Sequence, residues 1–262
     1  MCRLLAYLGK EKVVINDIIT NQQNSLEKQL IMKFLNNHYI NADGFGISWY
    51  DNSISEKPGL FKSRNPIWND NNIKNIASKI KSNCFLSHIR ASTIGITSWQ
   101  NCHPFNYDKY SFIHNGNIDN FDNIKFKLIK YLDKDLFSNI DGNTDSEYFF
   151  YLILHFVNKK HKLESAVIKA VNWVIENQLV YKEKVTLNII ITDGVKIIAT
   201  RFSNRPNEES ALGYTHTKLN NEILSVTLSS EPLNSHDKWF SIEKNHLFSF
   251  DREKCTSVLT KI

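Results

Sequence analysis

The 262-residue sequence predicts an α+β protein in which sheets and helices stack in layers. Strand-like segments come first, amphipathic helical segments follow, and strand-like segments return in the last third. Grouped strands followed by grouped helices favour stacked layers over alternating βαβ units. No repeat, low-complexity block or linker rich in Pro, Gly or Ser divides the chain. We therefore expect a single domain over residues 1–262, with residue 1 removed.

The first half of the chain predicts four strands, two helices and a long loop before a fifth strand. The strands are RLLAYL, GFGISWY, KPGLFKS and NCFLSHIR. NSLEKQLIMKFLNN predicts a helix because Leu26, Leu30 and Phe34 fall on one face, and NNIKNIASKI predicts another. Residues 91–108 show no periodicity and predict a loop, after which KYSFIHNGNID is again extended.

The second half predicts helices and then hairpins. Helical patterns cover FDNIKFKLIKYL, TDSEYFFYLILHFVNKK and ESAVIKAVNWVIEN. The second of these begins with Thr144 and Glu147 in the spacing of a capping box. KVTLNIIITDGVKIIATRF predicts a hairpin that turns at Asp193-Gly194, and LSVTLSSEPL and HLFSFDREKCTSVL predict further strands.

Composition excludes several classes of protein. The net charge of +5 comes from scattered lysines, whereas a nucleic-acid partner would require a basic stripe or a reader motif. The cysteines are widely spaced without a CxxC pair, so no disulfide scaffold is predicted. The longest apolar run, Tyr148–Val157, falls short of the ~20 residues that span a bilayer. We expect a soluble, cytoplasmic protein without a nucleic-acid or membrane partner.

Cys2 is the first candidate catalytic residue, because it directly precedes a predicted core strand. Removal of Met1 would give Cys2 a free α-amine with a pKa near ~7.7–8.0, so a useful fraction would be neutral. A neutral amine beside a thiol is a nucleophile with its own base. Cys2 could instead be a small apolar residue of the strand, since unpaired cysteines are mostly buried.

Three further segments carry groups that suit an amino-acid substrate. Arg90 ends an apolar strand and could bind a carboxylate in a bidentate manner, or form a surface ion pair. Asn115 and Gly116 could form an oxyanion hole, yet Asn-Gly is also the leading hairpin turn. Asp145 could hold an ammonium, or simply interact favourably with the dipole of its helix.

Six segments together resemble the class II glutamine amidotransferases, which are N-terminal-nucleophile hydrolases. They occur in the family's order over residues 1–150, and SSEPL with Trp239 resembles the ending of the short, freestanding members. The resemblance implies a four-layer αββα sandwich, with no cofactor and no metal. The six segments are Cys2 with RLLAYLG, NADGFGISWY, SHIRASTIG, NCHPF, FIHNGNI and TDSEYFF.

The resemblance also implies a role for each catalytic residue. Cys2 would attack the side-chain amide of glutamine, with its own α-amine as the base. Asn115 and Gly116 would form the oxyanion hole for the intermediate. A γ-glutamyl thioester would form, ammonia would leave, and water would release glutamate.

The substrate-binding residues follow from the same resemblance. Arg90 would bind the α-carboxylate of the substrate and Asp145 would receive its α-ammonium, while Thr93 would support the loop that carries Arg90. These residues recognise only the glutamyl half of a substrate. The substrate is therefore glutamine or another γ-glutamyl small molecule, with a larger γ-glutamyl peptide or conjugate as the alternative. A separate synthase subunit could accept the ammonia.

Other readings of the sequence remain open. His103 beside Cys102 could act as the base, although adjacent residues on an extended chain point in opposite directions. Cys84, His88, Cys102 and His103 could bind zinc, although their spacing matches no finger or ribbon. The chain could also be a binding or regulatory module of the same fold without catalysis, which retention of Met1 would favour.

Overall fold

The computed structural model describes residues 2–29, 44–90, 98–178, 183–206 and 211–262. Its strands are β1 Arg3–Val14, β2 Phe45–Asp51, β3 Ser55–Ser63, β4 Lys81–Ile89, β5 Phe105–Tyr107, β6 Tyr110–Ile118, β7 Val185–Thr192, β8 Lys196–Ser203, β9 Gly213–Leu219, β10 Glu222–Ser229, β11 Phe240–Ser241, β12 His246–Asp251 and β13 Thr256–Lys261. Its helices are α1 Ile15–Ile19, α2 Asn71–Ala77, α3 Phe121–Tyr131, α4 Lys134–Phe137, α5 Asp145–Asn158 and α6 Leu163–Asn177, with a 3₁₀ turn at Ile67–Asn69. Residues 26–29 are also helical.

The strands form two antiparallel sheets. Sheet A has the order β11-β9-β10-β1-β4-β2-β3, and sheet B has the order β13-β12-β8-β7-β6-β5. The strand that follows Cys2 therefore lies in the middle of sheet A, paired with β10 on one side and β4 on the other. An N-terminal strand at the centre of a sheet is held by hydrogen bonds along both of its edges.

Hydrophobic side chains define four layers in the order α, β, β, α. Alternate residues of the central strands, among them Leu4, Ile113 and Ile190, form a buried cluster between the two sheets. The opposite face of sheet A packs on α1 and α2, and the opposite face of sheet B packs on the larger helices α5 and α6. Successive side chains of a strand point to opposite faces, so the central strands β1 and β7, which are covered on both faces, are buried at consecutive positions. The predicted four-layer αββα architecture is confirmed.

Most predicted elements are present with shifts of a few residues. The hairpin at Asp193-Gly194 is confirmed, and Gly194 adopts a φ of +85°. Asp193 Oδ1 accepts hydrogen bonds from the backbone N–H groups of Val195 at 3.0 Å and Lys196 at 2.8 Å. A side chain that bonds its own backbone two residues on is the usual reason for Asp in such turns.

The capping box at the start of α5 is only half present. The hydroxyl of Thr144 accepts from the N–H of Glu147 at 3.3 Å, as predicted. The carboxylate of Glu147 does not return to Thr144 but accepts from the N–H groups of Asp141 at 3.0 Å and Gly142 at 2.7 Å. Glu147 therefore orders the loop that leads into α5 rather than completing the box.

Several short elements were not predicted from the sequence. They are α1, α4, β5, β9 and β11, and β5 lies within the segment predicted as a loop. The predicted helix over residues 24–37 is described only as far as residue 29, and its remainder lies outside the described residues. Among the helices that the structure describes, none is both long and apolar enough to cross a membrane.

We expect Asp70→Ala to lower the free energy of unfolding by about 1 kcal/mol, because Asp70 caps α2. Its carboxylate is buried and accepts from the N–H groups of Asn72 at 3.0 Å and Ile73 at 3.2 Å. Urea denaturation measures the change. Asp122→Ala, which alters an exposed carboxylate in the first turn of α3, serves as the control and should cost less than about 0.5 kcal/mol. Equal losses in the two variants would contradict a capping role for Asp70.

Candidate active site

Cys2 lies at the start of β1, where its main-chain carbonyl joins the two sheets. Arg3 Nη1 donates to the carbonyl oxygen of Cys2 at 3.1 Å, and Asn115 Nδ2 on β6 donates to the same oxygen at 3.1 Å. One donor belongs to sheet A and the other to sheet B. The amide of Asn115, which was predicted as an oxyanion-hole donor, is thereby in direct contact with the predicted nucleophilic residue.

The end of sheet A next to Cys2 is fixed by the segment SSEPL. The buried guanidinium of Arg3 pairs with Glu231, with Nη2 and Oε1 2.5 Å apart. The hydroxyl of Ser230 accepts from the N–H of Leu4 at 2.9 Å, and the N–H of Ser230 donates to the carbonyl of Leu4 at 3.1 Å. Burial lowers the pKa of Arg3, while the charge of Glu231 acts in the opposite direction.

Arg90 lies beside Cys2 on the neighbouring strand. Arg3 pairs with Ile89 across the antiparallel ladder, so the next position places Arg90 opposite Cys2. Residues opposite one another in such a pair project from the same face of the sheet. Nη1 of Arg90 is buried and has no hydrogen-bond partner among the described residues. A guanidinium so placed can bind a carboxylate near the thiol.

Asn115 and Gly116 lie within β6 and do not form a turn. Asn115 pairs with Asn188 of β7, and Gly116 pairs with Leu187, so the hairpin alternative for this Asn-Gly pair is wrong. The strand register overrides the local preference of the dipeptide for a turn.

The main-chain N–H of Gly116 points away from β7. The N–H of Ile118 donates to Asp145, and the main-chain groups of its partner Val185 bond to Asn204 instead of β6. N–H direction alternates along a strand, so Gly116 points to the same side as Ile118. β5 pairs with β6 only as far as Phe112, so no strand among the described residues pairs with that edge at Gly116. A backbone donor is thus available next to Asn115.

A side chain at position 116 has no room. A Cβ there would lie 1.9 Å from the carbonyl oxygen of Thr186 and 2.6 Å from His114 Nε2. His114 Nε2 donates to that carbonyl at 3.0 Å, and His114 Nδ1 accepts from the hydroxyl of Ser146 at 2.8 Å. His114 therefore crosses the outer face of Gly116 and ties β6 to the first turn of α5.

Asp145, the first residue of α5, is brought to the same edge of β6. Its Oδ2 accepts from the N–H of Ile118 at 2.8 Å, and its Oδ1 accepts from the N–H of Ser146 at 2.8 Å. The structure therefore assembles Cys2, Arg90, Asn115, Gly116 and Asp145 around the ends of β1, β4, β6 and α5. Thr93 lies outside the described residues.

Buried histidines surround this group. His88 Nε2 donates to the carbonyl of His114 at 3.1 Å, and the rings of His88 and His103 lie 4.2 Å apart. Burial lowers the pKa of His88 to about 3 and lowers that of His103 well below its usual value, so both rings are neutral at pH 7. The sulfur of Cys102 donates to the carbonyl of Ser98 at 3.4 Å, which places it away from the proposed imidazole base.

The zinc alternative also finds no support. The sulfur of Cys84 lies 3.5 Å from the hydroxyl of Thr192 in the core between the sheets, and burial raises the pKa of Cys84 to about 12. Among the described residues, which include all four proposed ligands, no group of three or more His, Cys, Asp or Glu side chains is arranged to hold a metal.

Sequence reasoning missed the residues that position the site. Arg3 and Glu231 meet only through the pairing of β1 with β10, across 228 positions of sequence. The sequence offers His88 as a possible zinc ligand and His114 as part of the motif FIHNGNI. Nothing in it predicts that both rings donate hydrogen bonds to main-chain carbonyl groups. The motif SSEPL was the one available signal, because it places a carboxylate and a hydroxyl just after the strand that pairs with β1.

Comparison with known proteins identifies the family that shares these features. The family model for class II glutamine amidotransferases matches residues 29–261. The probable glutamine amidotransferase DUG3 of Saccharomyces cerevisiae is 28% identical over 97% of this chain and 82% of that protein. The γ-glutamyl-hercynylcysteine sulfoxide hydrolase of Mycobacterium tuberculosis is 29% identical over a region that covers 45% of this chain and 50% of that protein.

Solved structures agree on the fold. A class II glutamine aminotransferase domain protein from Silicibacter pomeroyi superposes with a TM-score of 0.73 at 22% identity, covering 100% of this chain and 99% of that one. The glutamine phosphoribosylpyrophosphate amidotransferase of Bacillus subtilis gives a TM-score of 0.67 at 16% identity, covering 99% of this chain and 49% of that one. The four-layer sandwich of this chain is therefore the fold of these amidotransferase structures.

We expect Gly116→Ala to lower the free energy of unfolding by at least about 1–3 kcal/mol, because the new methyl group would overlap Thr186. Thermal and urea denaturation measure the loss. The matched control is Gly213→Ala in sheet A, where the nearest atom to a new Cβ lies at 3.1 Å and should move aside at smaller cost. A Gly116→Ala protein as stable as the Gly213→Ala protein would contradict the tight crossing of His114 over Gly116.

Proposed function

The chain belongs to the class II glutamine amidotransferase family, and on that premise we propose that Cys2, freed of Met1, cleaves the γ-amide of glutamine. The observation that carries the proposal is the hydrogen bond from Asn115 Nδ2 to the carbonyl of Cys2 at 3.1 Å. It joins the nucleophilic residue to a donor suited to an oxyanion. The proposed reaction is amide hydrolysis through a thioester, and the residues around Cys2 supply the groups that bind the substrate and stabilise the intermediate.

In the proposed reaction, the α-amine of Cys2 accepts the thiol proton as the sulfur attacks the amide carbon of glutamine. The side chain of Asn115 and the N–H of Gly116 stabilise the negative oxygen, and each such donor can lower the barrier by ~2.7–4 kcal/mol. The protonated amine then gives its proton to the leaving nitrogen, so ammonia departs and a γ-glutamyl thioester remains. Water, deprotonated by the same amine, releases glutamate and restores the thiol.

Substrate recognition is assigned to two charged groups. Arg90 supplies a buried guanidinium nitrogen that has no partner among the described residues, which suits the α-carboxylate. Asp145 supplies a carboxylate at the neighbouring strand edge, which suits the α-ammonium. Thr93 is proposed to support the loop after Arg90. A positive and a negative group at separate positions match the zwitterionic head of an amino acid.

A larger γ-glutamyl compound is the second candidate substrate. A cleft of about 660 Å³ adjoins Glu231, the partner of Arg3, and is lined also by Asn24, Lys28 and Pro232. Ammonia needs no such space as a leaving group, whereas a peptide or conjugate does. The relative from M. tuberculosis, named as a hydrolase of a γ-glutamyl sulfoxide, has a substrate of that kind.

Three further proposals concern the extent of the domain, the fate of the ammonia and the location of the protein. We propose a single class II domain over residues 1–262, because the family match covers residues 29–261 and β1 is a central strand of sheet A. If the ammonia is used in a synthesis, we propose that a separate synthase subunit accepts it. We place the protein in the cytoplasm, where reducing conditions keep a nucleophilic thiol active.

We expect Cys2→Ala to abolish glutamine hydrolysis while the protein remains folded, because the missing bond belongs to the transition state. Glutamate release measures turnover, and intact mass after treatment with an electrophilic glutamine analogue shows whether Cys2 is labelled with Met1 absent. A γ-glutamyl dipeptide assayed in parallel decides between the two substrates through their kcat/KM values.

The control for the nucleophile is Cys84→Ala. Cys84 is fully buried and burial raises its pKa to about 12, so its removal should leave turnover close to that of the parent. Activity of Cys2→Ala within about tenfold of the parent would exclude Cys2 as the nucleophile. Retention of Met1 on a folded protein that releases no glutamate would favour the binding or regulatory module instead.

We expect Arg90→Lys to lower kcat/KM mainly through a higher KM, because lysine lacks the bidentate geometry of the guanidinium. Steady-state kinetics with the preferred substrate measure the change. Arg64→Lys, on an exposed arginine at the end of β3, is the matched control and should have little effect. An unchanged kcat/KM in Arg90→Lys would refute the carboxylate-binding role.

A further inference from the structure

We propose that a second cleft, away from Cys2, binds a small molecule through its carboxylate, with Lys62 as the cationic anchor. The cleft has a volume of about 650 Å³ and lies between β3, β5 and the first turns of α5. Its walls include Lys62, Trp99, Phe105, Asn106, Glu147 and Tyr151. We call it the β3–β5 cleft. The proposal does not depend on the reaction at Cys2.

Lys62 is a largely buried cation that has no ionic partner in the part of the chain that the structure describes. Its Nζ lies 4.7 Å from the centre of the Trp99 ring and 5.1 Å from that of Phe105. It forms neither an ion pair nor a hydrogen bond with any of the described residues. Burial is the main cause that lowers its pKa to about 8. Aromatic rings compensate only part of the cost of removing an ammonium from water.

The neighbouring carboxylates do not neutralise Lys62. Among the described residues, neither Glu147 nor Asp141 forms an ion pair with Lys62, and the carboxylate of Glu147 is directed at the main-chain N–H groups of Asp141 and Gly142. Electrostatic interactions with Cys102, Glu147 and Asp141 raise the pKa of Lys62, but burial outweighs them. The ammonium therefore retains its capacity to donate to an oxygen atom within the cleft.

Asn106 is a second unsatisfied group in the same wall. Its Nδ2 and Oδ1 are both buried and have no hydrogen-bond partner among the described residues. Asn106 pairs with Ser111, whose hydroxyl bonds to Ser48 of sheet A, so this position of β5 faces the space between the sheets. Buried polar atoms without partners are rare in folded proteins. The unsatisfied amide of Asn106 and the ammonium of Lys62 line the same cleft, and together they point to a ligand.

The hydrogen-bond donors of Lys62 and Asn106 indicate which class of ligand the cleft would bind. An ammonium and an amide N–H together suit a carboxylate, while Trp99, Phe105 and Tyr151 offer apolar surface to the rest of the molecule. A cationic ligand would be repelled by Lys62. A dianionic phosphate would meet the carboxylates of Asp141 and Glu147, which line the same cleft. A singly charged carboxylate with a flat or apolar body fits these constraints best.

Strand register separates this cleft from the candidate active site. Lys62 is in register with Gly46, Gly46 with His88, and His88 with Leu4. Three strand spacings of ~4.8 Å put Lys62 ~14 Å from Leu4, two residues beyond Cys2. Cys2, Arg90, Asn115, Gly116 and Asp145 do not line the cleft. The β3–β5 cleft therefore lies beside the proposed glutamyl pocket and shares none of its described residues.

The test measures binding of benzoate to the full-length protein by ligand-observed NMR, with neutral benzamide as the matched probe. We expect benzoate to bind and benzamide to bind at least about tenfold more weakly. Lys62→Met, which keeps the length of the side chain and removes the charge, should weaken benzoate binding about tenfold. Lys57→Met removes a lysine that lines the same cleft but is 71% exposed, and should leave binding within about twofold.

Two further measurements make the result decisive. Arg90→Lys should leave benzoate binding unchanged, which separates the β3–β5 cleft from the proposed glutamyl pocket. Without ligand, Lys62→Met should raise Tm, because a buried cation without a partner is removed; a lysine with a purely structural role would lower it. The proposal is overturned if benzoate does not bind, if benzamide binds equally well, or if Lys62→Met binds benzoate like the parent.

Discussion

The carbonyl of Cys2 is held from two sides, and the geometry of the candidate active site depends on that hold. Chain ends normally fray, yet here Arg3 from sheet A and Asn115 from sheet B both donate to one oxygen atom. The guanidinium of Arg3 is itself buried against Glu231. Because a buried cation that loses its partner is costly, the pair also favours the native register of β1 against β10.

The edge of β6 that faces away from β7 supplies the main-chain donor of the candidate site, the N–H of Gly116. β5 has only three residues, so within the described part of the chain no strand pairs with the edge of β6 beyond Phe112. Exposed edges normally invite unwanted strand pairing. Here the side chains of His88 and Asp145 bond the edge groups of His114 and Ile118. Gly116 lies between these two capped positions, so its N–H is presented at a defined place.

The layered architecture and the residues of the site could be predicted because their signals are local. Amphipathic periods identified α3, α5 and α6, and the motifs identified Cys2 and Arg90. The Asn-Gly pair shows where such signals fail, since a turn preference is outweighed by the eight-residue pairing of β6 with β7. The short elements α1 and β5 carry too few residues for a period to be visible, and β9, with the sequence GYTHTKL, does not alternate between buried and exposed positions. The pairing of Arg3 with Glu231 is a product of topology and has no signal within either segment.

The neutral histidines leave Arg90 and Asp145 as the charged side chains of the proposed recognition surface. Burial lowers the pKa values of His88, His103 and His114, so none of these rings carries charge at pH 7. The charged side chains that the proposal places on the substrate are then Arg90 and Asp145. Neutral rings can fill the space and fix the main chain without adding a third charge. A site with one positive and one negative group favours a zwitterion over a simple anion or cation, because either would leave one group unpaired.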